Sequence, residues 1–324
     1  MSSTRPKKIL ITGATGFIGK YIVEQAIQQH FEVFIALRKT SNTQRINHLN
    51  YTEIYVDFNS EETINQALSD APVFDTVIHN AGVTSCFFNE DYYRFNTEIT
   101  KNLCAVLKTN QLLTGRFIYT SSLAALGPGS AVSLEDIVEN MPENPITNYG
   151  KSKLLAEKEV INSGLSYLII RPTAVFGQGT NDYKDLVSIV KKRMAIYTAS
   201  PKQLLSFVHA DDISTAIFLA NKHSKENQIY NLSDGNEYTL ASVYEIVALA
   251  LKKELKLKFR IPKGIVYSVA YINQFLEKNF KIKNALNSIE KAKEITSINW
   301  RCSASKIKQE IGFKAKHTLE EIIH

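Results

Sequence analysis

The sequence predicts an α/β protein, a doubly wound parallel sheet with helices on both faces and a smaller C-terminal lobe. Short apolar runs alternate with helical patterns through the first half of the 324 residues. The runs are continuously apolar, as expected of strands buried on both faces, where a half-exposed strand would alternate. After about residue 172 the β-α rhythm gives way to less regular sequence, the mark of a second, smaller structural unit.

Taken in order, KILIT (8–12) reads as a strand, YIVEQAIQQ (21–29) as a helix, and EVFIAL (32–37) and EIYVD (53–57) as strands. ETINQALSD (62–70) is helical, DTVIHNA (75–81) a strand, TKNLCAVLKTN (100–110) a helix and RFIYTSS (116–122) a strand. LGPGSAVSLEDIVENMPENP (126–145) concentrates Pro and Gly and reads as a long loop, a kind that often serves function. A helix over 149–162 and the strand YLIIRP (167–172) follow. Residues 1–172 are assigned to the sheet domain, with a segment near 206–234 returning to it, and 173–324 mostly to the smaller lobe.

Composition fits an ordered globular chain, with 44% hydrophobic and 22% charged residues. Cys86, Cys104 and Cys302 are odd in number and form no CxxC, which argues against a disulfide framework or a zinc site and for a reducing compartment. Only Ile9, Leu10 and Ile11 follow the early lysines before Thr12, too short a run for a signal peptide, and no apolar run reaches the roughly 18 residues of a membrane span. A cytoplasmic protein without an integral membrane segment is expected. The net charge of +6 is concentrated between Lys252 and Lys293, where eleven Lys or Arg face three Glu. A confined excess without a recognition motif argues against nucleic acid and reads as a solvated face, or as attraction to an anionic substrate or acidic surface.

ILITGATGFIGKYIV sets Gly13, Gly16 and Gly19 between a strand and a helix. Glycines there allow a tight turn, close approach of backbone to a pyrophosphate, and close packing of helix on strand, while the helix start offers unpaired N–H groups to phosphates. The reading is a Rossmann-type dinucleotide site. The second strand ends in Leu37 where an acid would bind an unphosphorylated ribose, followed by Arg38, Lys39, Thr40 and Ser41. Arg38, assisted by Lys39, Ser41 or Arg45, suits a 2′-phosphate, so NADP is expected, with NAD as the alternative. Asp57 would lie near the adenine, with Phe58 beside it.

TNYGKSK (147–153) places Tyr149 and Lys153 four apart, on one face of a helix. With 15 Tyr in the chain, spacing alone carries little. Context carries more: TGATGFIG (12–19), VDF (56–58), VIHNAG (77–82), FIYTSSLAALG (117–127), YGKSK (149–153), IIRPTAVFGQG (169–179), FVHADDIS (207–214) and EIGF (310–313) occur in order over nearly the whole chain. In these motifs the chain resembles an extended short-chain dehydrogenase/reductase of the NAD-dependent epimerase/dehydratase group.

The resemblance implies Ser122, Tyr149 and Lys153 as the catalytic set. Ser122 would hold the substrate oxygen, and Tyr149 would exchange a proton with it. Lys153 would favour the phenolate of a phenol whose ordinary pKa is about 10, and would hold the nicotinamide ribose. It implies cofactor contacts from Gly13, Thr15, Gly16, Phe17, Ile18 and Gly19, from Asn80, Ala81 and Gly82, and from Asn96 and Thr173. His79 and His209 read as structural residues, and Asp212 as a helix cap; no metal site is assigned.

Leu123 and Ala124 stand where 4,6-dehydratases carry Asp-Glu, and RPTA replaces the Arg-Tyr-Phe-Asn of 4-epimerases. Arg-Pro-Thr-Ala-Val-Phe-Gly is more similar to the dihydroflavonol reductase and hydroxysteroid dehydrogenase branches. The resemblance therefore implies an NADP-linked carbonyl reductase or alcohol dehydrogenase, with an NAD-dependent nucleotide-sugar epimerase as the alternative and a non-catalytic cofactor sensor as a further one. The substrate pocket is expected from Thr84, Ser85, Ala124 and Tyr183, largely apolar and small around them. A homodimer through the two long helices flanking the sheet is the family expectation.

Overall fold

The computed structural model describes residues 5–177, 180–198, 200–280 and 289–322. Gln178 and Gly179, which end the IIRPTAVFGQG motif, and Lys281 and Lys283 of the basic segment lie outside the described residues. The strands are β1 (Lys8–Thr12), β2 (Glu32–Leu37), β3 (Thr52–Tyr55), β4 (Phe74–His79), β5 (Leu113–Thr120), β6 (Tyr167–Pro172), β7 (Ala174–Phe176), β8 (Met194–Tyr197), β9 (Leu204–Leu205), β10 (Phe207–His209), β11 (Gln228–Leu232), β12 (Tyr238–Thr239) and β13 (Leu257–Arg260). The helices of the first half are α1 (Phe17–Gln28), α2 (Glu61–Ala67), α3 (Asn89–Tyr92), α4 (Ile99–Thr109) and α5 (Asn148–Asn162). Later come α6 (Asn181–Lys191), α7 (Ala210–His223), α8 (Leu240–Ala250), α9 (Lys263–Phe280), α10 (Ile289–Thr296), α11 (Ser305–Ile311) and α12 (Leu319–Ile322).

Seven strands form one sheet in the order β11-β6-β5-β4-β1-β2-β3, every neighbouring pair parallel. The order reverses between β1 and β4, which opens a crevice at their C-terminal ends. The continuous apolar strands are explained by what each face meets. Ile9 and Ile11 join Ile22, Val23 and Ala26 of α1 and Ile213 and Ile217 of α7 in one core. Leu10, between them, joins Leu103 and Leu107 of α4 and Ala156 and Val160 of α5 in the other. Alternate side chains of one strand thus feed two cores, which only an unbroken apolar run can do. The segment from β10 through α7 to β11 packs on this sheet, β11 pairing with β6.

A third core gathers Val190, Ala195, Tyr197, Val243, Tyr244 and Val247 from α6, β8 and α8. Residues 126–145, predicted as loop, contain no long element but are fastened down. Gly129 N donates to Asn299 O, Ile137 N to Arg301 O, and Asn299 Nδ2 to Glu135 O at 2.8 Å.

Two local expectations need correction. The helix predicted from Tyr21 begins at Phe17, directly after Gly16, because the apolar periodicity that marks a helix is weak in its first turn. Asp212 is not a cap: His209 occupies the N-cap of α7, its Nδ1 accepting from Asp211 N. Asp212 lies fully buried in the first turn and accepts the backbone N–H groups of Lys316 and His317 at 2.8 and 3.0 Å. It staples the C-terminal segment to the sheet layer, a pairing 104 residues apart in sequence.

Candidate active site

The first wall of the site is the turn between β1 and α1. Gly13 has φ +68°, a left-handed conformation, and a Cβ there would lie 2.6 Å from Ala81 N. A Cβ on Gly19 would lie 2.0 Å from Gly13 O, so α1 can rest on the turn only with glycine at that position. Gly16 is exposed and caps α1 with no side-chain hydrogen bond, and no acid stands in the first turn. The N–H groups of Phe17, Ile18 and Gly19 therefore open an uncapped, positively polarised helix end, with Thr15 partly exposed beside it.

Across the crevice, residues 80–83 are held by side chains from neighbouring strands and helices. Ala81 N donates to Thr12 Oγ1 at 3.1 Å, and Asn80 Nδ2 to Gly13 O at 3.3 Å. Asn96 is 1% exposed and grips the backbone of Val83 from both sides, Oδ1 accepting from Val83 N at 2.8 Å and Nδ2 donating to Val83 O at 3.1 Å. Asn96 Nδ2 also donates to Ser152 Oγ at 2.9 Å, which ties this loop to α5. Asn96 sits in a π-helical stretch, Tyr93–Glu98, between α3 and α4. Such widened turns recur at functional sites, and the sequence carries no signal for them.

At the end of β2, Arg38 and Lys39 are exposed and make no ion pair with another described residue. Ser41 closes a tight turn with Arg38, its Oγ accepting from Arg38 N at 3.1 Å. Asp57 is exposed and accepts from Asn59 N and Nδ2. Phe58 departs from expectation: its ring is buried in the core with Val56 and Ile64, because the chain turns inward there to start α2.

Ser122 follows β5 and caps a short 3-10 turn, Leu123–Ala125, its Oγ accepting from Ala124 N at 3.2 Å. Thr147 caps α5, accepting from Gly150 N at 3.0 Å. A Cβ on Gly150 would lie 2.3 Å from Ala124 O, so that glycine lets the start of α5 press against the turn after Ser122. The result brings the Ser122 side chain into electrostatic reach of the Tyr149 phenol. One turn further on, Lys153 is 5% exposed, donates to Thr120 O at 2.7 Å and lies 4.5 Å over the Tyr119 ring.

Burial dominates the electrostatics of this trio. Burial pushes the Tyr149 phenol up to about 12, with the Ser122 side chain opposing. Burial pushes Lys153 down to about 7, against the pull of Glu157. A lysine that is itself desolvated is only partly charged near neutral pH, which weakens its pull toward the phenolate. Tyr149 stands protonated at neutral pH. His79 is fully buried, hydrogen-bonded to Thr12 Oγ1 at 2.7 Å and Thr100 Oγ1 at 2.9 Å, and burial with the Lys153 charge pushes it down to about 3. It is a neutral spacer between the glycine turn and α4.

Sequence reasoning passed over two further groups. Glu157, one turn beyond Lys153, forms a buried two-pronged pair with Arg171 (Nε to Oε1 2.9 Å, NH2 to Oε2 2.6 Å), and Ser121 Oγ also donates to it. The spacing of four from Lys153 to Glu157 was the available signal. Glu290 of α10 accepts from Asn148 N, beside Tyr149, which brings the C-terminal lobe to the site. Of the expected substrate residues, Ala124 lies against the start of α5, and Thr84 and Ser85 are exposed on the loop after Gly82. Tyr183 packs its ring on Phe176 at 5.2 Å and is only partly exposed. Thr173 is 7% exposed with its Oγ1 unpartnered. The described residues hold no cluster of His, Cys, Asp or Glu suited to a metal.

The residues fit a dinucleotide: two glycines that a Cβ would block, an uncapped helix end, two exposed cations after β2 and an orphaned buried hydroxyl at Thr173 all follow the C-terminal ends of strands of one parallel sheet. The family described as "NAD dependent epimerase/dehydratase family" matches residues 9–233. A sterol-4-alpha-carboxylate 3-dehydrogenase (decarboxylating) from Dictyostelium discoideum is 25% identical, covering 96% of this chain and 97% of its own length. A UDP-glucose 4-epimerase from Vibrio cholerae is 29% identical over 76% of this chain and 77% of its own. Among solved structures, a Bordetella bronchiseptica enzyme crystallised with NAD and UDP superposes with TM-score 0.76 at 17% identity, covering 98% of this chain and 93% of that one.

Proposed function

The chain belongs to the NAD dependent epimerase/dehydratase family, and from that premise we propose that this NAD(P)-dependent oxidoreductase reduces a hydrophobic carbonyl compound with NADPH, or oxidises the corresponding secondary alcohol. The observation that carries the reading is the packing of the start of α5, which carries Tyr149, against the turn after Ser122, where Gly150 leaves no room for a Cβ. Ser122 orients the substrate oxygen, and Tyr149 delivers a proton to that oxygen as it gains negative charge. A phenol held near 12 still donates readily to an alkoxide, so the protonation state favours reduction at neutral pH. Lys153, tied to Thr120 O, fixes the floor of the site and supplies a donor for a ribose hydroxyl.

A bound nicotinamide dinucleotide would supply or accept the hydride. The α1 N-terminus and glycine turn would hold its pyrophosphate, and Ala81, Gly82 and Thr173 would line its path. Arg38, with Lys39 and Ser41, supports NADP over NAD, since no carboxylate stands there to repel a 2′-phosphate. The substrate class draws on the apolar surroundings of Leu123 to Ala125 and on relatives named as a sterol-4-alpha-carboxylate dehydrogenase, a 3-beta-hydroxysteroid dehydrogenase and a ceramide reductase. A homodimer through α4 and α5 is supported by the exposed Leu155 and Ile161 on α5. Three free thiols support a reducing, cytoplasmic setting.

The test is a titration of NADPH against NADH, followed by a redox screen over ketones, sterols and nucleotide sugars. NADPH should bind more tightly, and tighter NADH binding removes the cofactor assignment. Tyr149→Phe should keep cofactor affinity and lose turnover; unchanged turnover removes Tyr149 as the proton donor. The epimerase reading is favoured by the 29% identity to the Vibrio cholerae enzyme. Tightly held NAD, with inversion of a sugar centre and no net redox, would establish it instead.

A further inference from the structure

The basic excess in the C-terminal lobe has no role in the site described above, and its surroundings are unusual. From Lys252 to Lys263 the chain carries six cations, Lys252, Lys253, Lys256, Lys258, Arg260 and Lys263, against Glu254 alone, a local +5 in a protein of net +6. All seven side chains are exposed, and the one ion pair they make with described residues, Lys258 with Glu245, is a loose surface contact of 3.8 Å.

The same stretch displays large apolar side chains to solvent. In β13, Leu257 and Phe259 are 52% and 45% exposed and stand in register with Met194 and Ile196 of β8, on the face of this small sheet opposite buried Ala195 and Tyr197. Ile261 and Pro262 then lead into α9. Ile265, Val269 and Ile272, at i, i+4 and i+7, form one exposed stripe, while Ala270 is buried on the opposite side. Residues 264–275, GIVYSVAYINQF, contain no charged side chain. A soluble face would interrupt that run with Lys or Glu.

We propose that the outer surface of β13 and α9 docks on an anionic lipid bilayer. Apolar side chains beside a row of lysines match a membrane interface, where hydrocarbon lies beneath a layer of negative headgroups. Among the described residues no helix is long and apolar enough to cross a membrane, so α9 would lie in the surface plane. A second copy of the chain is the weaker occupant, because a two-fold pairing of this face would set the same cations against each other. Docking here would place the site one helix from the bilayer: α9 packs on α10, and α10 reaches Asn148 through Glu290. The proposal rests on this surface and is independent of the substrate reading.

The test is flotation of the full-length protein with vesicles of phosphatidylcholine alone and with phosphatidylglycerol added. Binding is expected only to the anionic vesicles, and to fall as salt rises. The triple change Lys256→Gln, Lys258→Gln, Arg260→Gln should weaken it about a hundredfold at low salt, from roughly fivefold per cation. Ile265→Ser, Val269→Ser, Ile272→Ser should abolish it with the melting temperature retained. The proposal is overturned by no binding to anionic vesicles at low salt, by equal binding to neutral ones, or by indifference to both triple changes. It is overturned equally if light scattering shows that either change splits an oligomer, which would make this face a contact between copies.

Discussion

Replacing Lys153 by Met should stabilise the cofactor-free protein near neutral pH while abolishing turnover, and the size of the gain follows from the burial of the ammonium group. Lys153 is 5% exposed and its pKa falls from 10.5 to about 7. Between those values the unfolded chain binds a proton that the folded protein does not. Wild-type stability therefore rises with pH from about 7 to about 10.5, and below pH 7 the full cost of the buried charge, about 5 kcal/mol, is present. Methionine fills the same channel without the charge. It loses the hydrogen bond to Thr120 O, which costs about 2 kcal/mol once the stranded carbonyl is included. The variant should be more stable by about 3 kcal/mol at pH 6, and the advantage should vanish and reverse by pH 10. Urea unfolding of both proteins at pH 6, 8 and 10 measures this. A variant less stable than wild type at pH 6, or a difference that does not change with pH, would refute the reasoning.

Three further outcomes follow from the same site. Glu157→Gln or Arg171→Met alone should cost about 3–5 kcal/mol, since each strands a buried charge, and Glu157→Met with Arg171→Met should cost less than the sum; additive losses in urea unfolding would contradict the pairing. Gly19→Ala should cost about 3 kcal/mol or more and remove dinucleotide binding, because its Cβ meets Gly13 O at 2.0 Å; calorimetric titration at wild-type affinity would rule this out. Alcohol oxidation, which needs the Tyr149 phenolate, should rise about tenfold per pH unit below the phenol's pKa, whereas reduction should not; parallel pH profiles would exclude Tyr149 as the shared acid and base.

The sheet was legible because its signal is local: a strand that feeds two cores needs apolar side chains on both faces, as KILIT and VFIAL show, whereas the exposed edge strand β3, TEIY, was marked by its place in the β-α rhythm. The glycine turn and the Tyr149 and Lys153 spacing were readable for the same reason, being set by neighbours within a few residues. What stayed hidden depends on distant partners. Asp212 looked like a cap because its acceptors' donors, Lys316 N and His317 N, lie a hundred residues away. Phe58 looked like a ligand neighbour because the inward turn before α2 has no strong marker. The π-helical stretch around Asn96 left no periodicity to find, and the tuning of Lys153 depends on how much water the fold removes, which residue identity does not state.

The fastening of residues 126–145 by residues 299–301 has a consequence for how the protein is made. Ser122 and Tyr149 stand at opposite ends of that loop, and its partners, Asn299 and Arg301, are translated more than a hundred residues after both. On the ribosome the sheet can close around the glycine turn while the loop still lacks its clasp. The nascent chain would thus form its glycine turn well before Ser122 and Tyr149 are set against each other. Setting the two against each other follows synthesis of the sheet that carries them and waits on a segment made much later.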